Sequence, residues 1–273
     1  MAGSASLVVS IPTWSTPPRL LARSVASALA SDAEPLVVLV EDGEDTDPRF
    51  EPPTHDRLIR HRLAENRGRY FADAVVVGAL APEQWWAPLD ADDWAEPDHH
   101  SRVVDAGRRT GATVSRYHRS GRGRRGAFVQ DPSTGRLEGP PTEAFHHLAH
   151  WCSGAYRVDR VRRAGGIHPG FRVGYDTLFV LMLHLTGPVS VVDQPGYHWE
   201  RRDSGSLTTA KETRFGSPHR IEAKERLRRL YRAAWEQRLH DPGGVIRRDV
   251  DPFVADDVAR ESEALAGRLE RWT

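Results

Sequence analysis

Apolar residues first gather in a short run, Leu7 to Ile11, which Pro12 stops, and then recur at Leu21, Val25 and Ala28 within Pro17 to Ala30. The run predicts a strand and the three-to-four spacing a helix. Leu36 to Val40 is apolar throughout, between Pro35 and the acidic turn Glu41-Asp42-Gly43, and predicts a strand covered on both faces of a parallel sheet. Leu58 to Leu63 predicts the next strand. Tyr70 to Leu80, rich in alanine and valine, predicts a helix. Trp85 to Leu89 reads as another buried strand, and Pro97 to Arg109 as a helix with proline near its first turn. Alternating strands and helices predict a mostly parallel α/β sheet whose ligands gather at the carboxyl ends of its strands. Both acidic turns, at 41–42 and 90–93, fall on that edge.

The second half is patterned differently. Ser120 to Gly126 is a Gly/Arg tract and Asp131 to Pro141 is full of turn residues, which predicts a mobile loop or hairpin excursion. Val158 to Ala164 predicts a short helix ended by Gly165-Gly166, Asp176 to Leu185 a helix buried on most sides, and Val189 to Val192 a short strand. Ile221, Leu227, Leu230, Tyr231, Ala234 and Trp235 form one apolar face among many charges. After the turn at Asp241 to Gly244, residues Phe253, Val258, Leu265, Leu269 and Trp272 form a second. These faces are expected to pack back on the core or on a sister subunit, which makes a homodimer through the C-terminal helices one expectation.

Composition narrows the classes. The chain has 273 residues, with 38 lysines and arginines against 38 aspartates and glutamates, so no overall charge bias argues for nucleic acid or a membrane surface as partner. Cys152 stands alone, which excludes an internal disulfide framework and a cysteine zinc site, and it is expected to be a buried neutral thiol. No segment has the length and apolarity of a membrane span, and the first residues lack a secretory pattern, so a soluble cytoplasmic protein is expected.

The densest chemical feature is Asp90-Ala91-Asp92-Asp93, directly after the apolar Trp85 to Leu89. Carboxylates set this closely repel unless a cation or solvent neutralises them. Magnesium and manganese favour hard oxygen ligands and keep substrate phosphates in their shell, so a strand end of this kind suits a metal and diphosphate site. Trp14 offers a flat face to a base, and Arg69 a permanently charged fork to phosphate. The turn after the first strand carries no G-x-G-x-x-G, which disfavours a nicotinamide oxidoreductase. His146, His147 and His150 have metal-like spacing without a carboxylate partner nearby. The Arg122, Arg124, Arg125 loop reads as a solvated or substrate-gating segment.

In this order the motifs resemble the GT-A-fold glycosyltransferases of the family-2 type, over roughly residues 5 to 207. The carriers are Val8-Val9-Ser10-Ile11-Pro12-Thr13-Trp14; Val38-Leu39-Val40-Glu41-Asp42-Gly43 with Thr46-Asp47; Asn66, Gly68 and Arg69; and Leu89 to Asp93. The resemblance implies a GT-A domain over 1–215, with a nucleotide-sugar-binding half (1–110) and an acceptor half (111–215), and a helical extension over 216–273. It implies inverting, non-processive transfer of one sugar from a nucleoside diphosphate sugar, UDP-sugar favoured, to a small-molecule or glycan acceptor, with Mn2+ or Mg2+. Implied for the donor are Pro12, Thr13, Trp14, Glu41, Asp42, Asn66, Arg69, Asp90, Ala91, Asp92, Arg201 and Arg202, with Asp42 on the base and the arginines on diphosphate. Asp92 is the implied principal metal ligand. Asp90 is implied at ribose or a metal-bound water, and His198, in the segment Tyr197 to Arg202, is a third implied ligand. Trp151 and Tyr175 are implied at the acceptor, and Asp176, where the family's usual Glu-Asp has become Tyr175-Asp176, as the general base. A helix cap is the plainer role for that aspartate. A sugar nucleotidyltransferase and a non-catalytic nucleotide-sugar-binding protein are the alternatives. The first usually carries a Gly-rich, Arg-containing loop where this chain has Pro12-Thr13-Trp14-Ser15.

Overall fold

The computed structural model describes residues 7–43, 51–120, 128–130, 151–200 and 216–270. The apolar runs become strands where their pattern predicts: β1 (Leu7–Thr13), β2 (Leu36–Asp42), β3 (Leu58–Leu63) and β4 (Trp85–Pro88) lie parallel in the order β3-β2-β1-β4. β1 and β2 are buried along nearly all their length, because helices cover both faces. β3, at the sheet edge, alternates buried and exposed positions. Helix α1 (Pro18–Leu29) buries Leu21, Val25 and Ala28 against the sheet. Helix α2 (Arg69–Ala79) is buried over most of its length between the sheet and a C-terminal helix.

Beyond β4 the sheet continues through strands that the apolar pattern does not announce. After β5 (Trp94–Ala95) and helix α3 (His99–Gly107) come β6 (Ala112–Ser120), β7 (Phe128–Gln130) and β8 (Ala155–Arg157). Helices α4 (Val158–Arg163) and α5 (Tyr175–Leu185) follow, and then β9 (Ser190–Glu200). The full order is β3-β2-β1-β4-β8-β6-β9-β5, with β7 on β6. β8 runs antiparallel to β4 and β6, whereas β9 runs parallel to β6, so the sheet is mixed. β6 mixes small, polar and charged residues and was hidden for that reason. β9 runs well past the expected 189–192, through Pro195 and Gly196, and the ladder absorbs the irregularity as a register shift between Ser115 and Tyr117.

The C-terminal faces pack back on the core. Helix α6 (Pro218–Glu236) lies against α5, α7 (Pro242–Asp249) against α4, α5 and α6, and α8 (Pro252–Leu269) against α2 and β3. The expected turn at 241–244 opens α7 instead: Pro242 begins the helix and the Asp241 carboxylate caps it, accepting the Gly244 N–H at 2.9 Å. Leu227, Leu230, Tyr231, Ala234, Leu265 and Leu269 join the continuous hydrophobic core, while Ile221 and Phe253 stay exposed. Trp272 lies outside the described residues. No helix among the described residues is long and apolar enough to cross a membrane.

Candidate functional site

The start of α2 is where the candidate side chains converge. β2 ends in Asp42, whose buried carboxylate accepts the backbone N–H of Arg67 at 2.7 Å and of Gly68 at 2.8 Å, one on each oxygen. This closes the turn that launches the helix. Gly43 must be glycine: its φ is 94°, and a Cβ there would lie 2.9 Å from the Asn66 nitrogen. Burial pushes the Asp42 carboxyl above its ordinary range, against the two N–H bonds and the charges of Arg172 and Arg67, which pull it down.

The next residue, Arg69, is the electrostatic centre. It forms an ion pair with Asp90, and its Nε donates to Asp73 Oδ2 at 3.1 Å, one turn along α2. A terminal nitrogen donates to Cys152 Sγ at 3.1 Å, and the guanidinium sits 4.8 Å from the Trp151 ring centroid. Asp73 is fully buried and also accepts the Ser10 hydroxyl at 2.7 Å, while the Ser10 oxygen accepts the Trp86 indole N–H at 2.8 Å. A continuous polar thread therefore runs from the interior of β4 to the acidic turn. Burial raises Asp73, offset in part by Arg69 and Ser10. Burial likewise pushes the Cys152 thiol up, so it stays protonated, as its isolation in the sequence predicts.

The acidic turn is pinned from two sides. The carbonyl of Asp90 accepts the Ser24 hydroxyl at 3.0 Å and that of Asp92 accepts Arg23 at 2.8 Å, so α1 holds the backbone. Asp93 is buried, and its carboxylate accepts the Tyr197 hydroxyl and the Glu200 N–H, the latter at 2.7 Å, which binds the turn to β9. Burial first, and then the charge of Asp92, hold Asp93 well above the ordinary carboxylate range. Ala91 is buried, and Asp90 and Asp92 are half-buried. One oxygen from each of the three aspartates lies within 4.8 Å of the others. These are hard donors, and the set fits Mg2+ or Mn2+. Asp93 is committed to β9 and Asp90 is shared with Arg69, so Asp92 would be the principal ligand of a cation, with Asp90 the second.

His198 is not in that group. Its Nε2 lies 3.1 Å from Glu96 Oε1, its ring stacks on Trp94 with centroids 3.6 Å apart, and it falls in a separate cluster with Glu96 and His118.

Asp176 stands in the first turn of α5, half-buried, where the helix dipole favours a negative charge. It is not the cap: Gly174, at φ 82°, holds that position without a side-chain bond. The Tyr70 hydroxyl lies 3.4 Å from both the Asp176 carboxylate and its backbone N–H. Burial and the Asp176 charge hold the Tyr70 phenol well above its ordinary value. Tyr70 packs edge-on against Trp151 and Tyr175, at 5.5 and 5.6 Å, in a buried aromatic cluster that Trp86 and Phe179 complete. The Tyr175 hydroxyl donates to the Gly166 carbonyl at 2.8 Å. The approach to α5 is anchored by His168, whose Nδ1 accepts the Gly170 N–H at 3.1 Å and whose Nε2 faces Asp249 at 3.1 Å. Arg226 grips the same carboxylate.

Four consecutive residues, 67 to 70, thus touch Asp42, Asp90, Trp151, Tyr175 and Asp176. Thr13 is buried and Pro12 partly so at the end of β1, and Trp14 beyond them is half exposed. Asn66 is half-buried in the turn before α2. Glu41 points away from this group, its buried carboxylate accepting from Arg60 at 2.6 Å and Arg62 at 3.4 Å. Arg201 and Arg202, with the arginines at 122, 124 and 125 and the histidines at 146, 147 and 150, lie outside the described residues. Sequence reasoning missed Ser10, Tyr70, Asp73, Tyr197, Glu96 and His118. Asp73 had a signal, a carboxylate inside an apolar helix four residues after an arginine.

No protein-family model and no curated protein matches the chain. Solved structures do. TarS 1-349 of S. aureus in complex with UDP-GlcNAc is 18% identical, with a TM-score of 0.64, covering 94% of this chain and 71% of that one. The same protein with UDP is 16% identical, with a TM-score of 0.57 over 72% of this chain and 61% of that one. GalNAc-T7 with UDP, GalNAc and Mn2+ is 14% identical, with a TM-score of 0.58 over 95% of this chain and 54% of its own. This chain therefore spans well under two thirds of the GalNAc-T7 chain and 61% of the TarS chain bound to UDP. The likeness shows the fold, which is the Rossmann-like GT-A type.

Proposed function

We propose that this chain is a glycosyltransferase that moves one sugar from a nucleoside diphosphate sugar, UDP-sugar favoured, to a hydroxyl or similar nucleophile of a small-molecule or glycan acceptor, with inversion. The observation that carries the reading is the convergence of Asp42, Asp90 and Asp176 on residues 67 to 70 of a fold shared with proteins solved with UDP and UDP-GlcNAc. Residues 1–215 would form the catalytic unit, donor half first, with 216–273 as its helical buttress. Asp90 and Asp92 would hold Mn2+ or Mg2+, which offsets the charge that builds on the departing diphosphate.

The chain's own groups divide the remaining work. Trp14 stacks on the base and Asp42, which keeps lone pairs beyond its two backbone bonds, accepts its N–H. Arg69, pre-set between Asp73 and Asp90, presents fixed positive charge beside the diphosphate, with Arg201 and Arg202 in support. Trp151 and Tyr175 are buried, so they would shape the acceptor side from beneath, through Tyr70 and the start of α5, and not touch the acceptor. The acceptor oxygen attacks the anomeric carbon as the bond to diphosphate breaks on the opposite face, and its proton passes to Asp176.

The test is donor turnover with a panel of nucleoside diphosphate sugars and Mn2+, read as nucleoside diphosphate release alongside thermal shift. Asp92→Asn is expected to abolish metal-dependent binding or turnover, and full activity with the metal chelated would overturn the metal role. Asp176→Asn is expected to bind donor normally and transfer poorly, and unchanged transfer would remove it as base. Pyrophosphate release from a nucleoside triphosphate and a sugar phosphate would identify a nucleotidyltransferase instead. Donor binding with no transfer to any acceptor would identify a binding protein.

A further inference from the structure

We propose a second metal site, built by Glu96, His118 and His198 and separate from the aspartate turn, that takes a transition metal of the zinc or cobalt kind. Glu96 follows β5, His118 lies in β6 and His198 in β9, so three strands of the sheet's far end each bring one ligand to the same place. One donor atom from each lies within 4.8 Å of the other two, and all three side chains are half-buried, open enough for an ion to enter and shielded enough to hold it.

The chemistry of the set separates it from the aspartates. Two imidazoles and one carboxylate match the borderline-soft divalent ions, and three protein ligands leave a coordination position open. The all-oxygen turn at 90–92 favours harder ions. Both sites can therefore coexist on one chain with different metals.

The surroundings are those of a supported site. The Glu96 carboxylate faces His198 Nε2 at 3.1 Å, and its other oxygen lies 3.9 Å from Arg102, which is itself held by Asp98 at 2.9 Å. Trp94 stacks flat on the His198 ring, fixing its plane. His118 lies against His198 with centroids 4.5 Å apart at 22°, so for both rings to bind one ion the His118 ring would have to rotate out of this stack. Its Nδ1 is shielded from solvent and has no hydrogen-bond partner among the described residues, a nitrogen that lacks a mate. An ion here would pin β9 next to Tyr197 and Glu200, the two groups that hold Asp93.

The probe is Co2+, titrated into the full untagged chain after chelation, followed by its visible d–d absorption and by calorimetry. One equivalent is expected to give a histidine-ligated spectrum that zinc displaces and that persists in Asp92→Asn. His118→Gln and Glu96→Gln are each expected to weaken binding by at least about tenfold, the loss that follows removal of even an outer-shell partner. A spectrum unchanged in both variants, a spectrum lost in Asp92→Asn but kept in His118→Gln, or no cobalt binding by the wild type would each overturn the proposal. Should His118→Gln fail to fold, the rise in melting temperature with zinc decides, being expected in the wild type and clearly smaller at the same zinc concentration in Glu96→Gln; an equal rise in both would overturn the proposal.

Discussion

Arg69 and Asp90 meet as an ion pair where the first residue of α2 faces the end of β4. The same guanidinium is a partner of Asp73, whose carboxylate is fully buried. Removing one partner of a buried pair leaves an uncompensated charge, and this typically costs about 3–5 kcal/mol. Arg69→Met is therefore expected to lower the urea midpoint sharply at pH 7. Asp73→Asn added to it is expected to restore part of the loss, because an amide still accepts the Ser10 hydroxyl and needs no cation. An Arg69→Met chain as stable as the wild type would mean that Asp73 is already protonated at neutral pH.

Tyr70 sits one residue further on and touches Asp176 through its hydroxyl. With its phenol held well above the ordinary value by burial, it remains an O–H donor across the working pH range. Tyr70→Phe keeps the ring contacts with Trp151 and Tyr175 and deletes only the hydroxyl. A hydrogen bond as long as 3.4 Å is worth about 1 kcal/mol, so kcat is expected to fall about fivefold while the donor KM stays unchanged. An equal change in donor KM would place the effect on donor binding and not on Asp176 as the proposed base.

The first half of the fold was legible because β1, β2 and β4 are continuous apolar runs, β3 alternates apolar and charged positions as an edge strand does, and the helices carry the matching spacing, so β1 to β4, α1 and α2 are found where the pattern puts them. β6 was not, because Thr113, Ser115 and Arg116 break any apolar run, and its burial comes from the strands on either side. The acidic residues at strand ends could be named from sequence, but not the sorting among them. Glu41 and Asp42 are neighbours with opposite directions, and which one faces β3 depends on the register with Arg60 and Arg62. His198 stood with the aspartates only because the family resemblance implied a histidine ligand there. The separation appears only once β5 pairs with β9 and sets Trp94 against it.

Acid should destabilise the fold through its buried imidazoles. Burial holds His100 down at about 4, and burial first, then the nearby charges of His100 and Arg102, hold His99 well below its ordinary value. A folded-state value below the unfolded one means that the unfolded chain takes the proton first. The contribution is thus whole above about pH 6.5 and is lost as the pH falls toward 4. For His100 alone the loss is about 3 kcal/mol over that window. Asp73 and Asp93, raised by burial, act in the opposite sense and offset part of it as they protonate in the folded state. Urea unfolding between pH 7 and pH 5 is expected to show falling stability, with a shallower slope in His100→Gln. An unchanged slope would assign the acid sensitivity to other groups.

The C-terminal helix reports on the site through α2. Gly78 faces Ser262 of α8, and a Cβ on Gly78 would run into the Ser262 hydroxyl and come 3.0 Å from its Cβ. The hydroxyl is not free to swing aside without loss, because it donates to the Val75 carbonyl at 3.0 Å. In an isolated helix Gly→Ala stabilises by about 1 kcal/mol. Here the sign is expected to reverse, with Gly78→Ala losing about 1–3 kcal/mol through overpacking. Ser262→Gly in the same chain opens the space and is expected to return most of the loss. Because Asp257 of α8 also holds Arg67 at 3.0 Å, and the Arg67 N–H is one of the two that fix Asp42, loosening this helix should also weaken the proposed binding of UDP. Calorimetry of UDP with Gly78→Ala and with the double variant checks that coupling. A Gly78→Ala chain that is more stable than the wild type, or that binds UDP unchanged while destabilised, would show that α8 does not brace the turn.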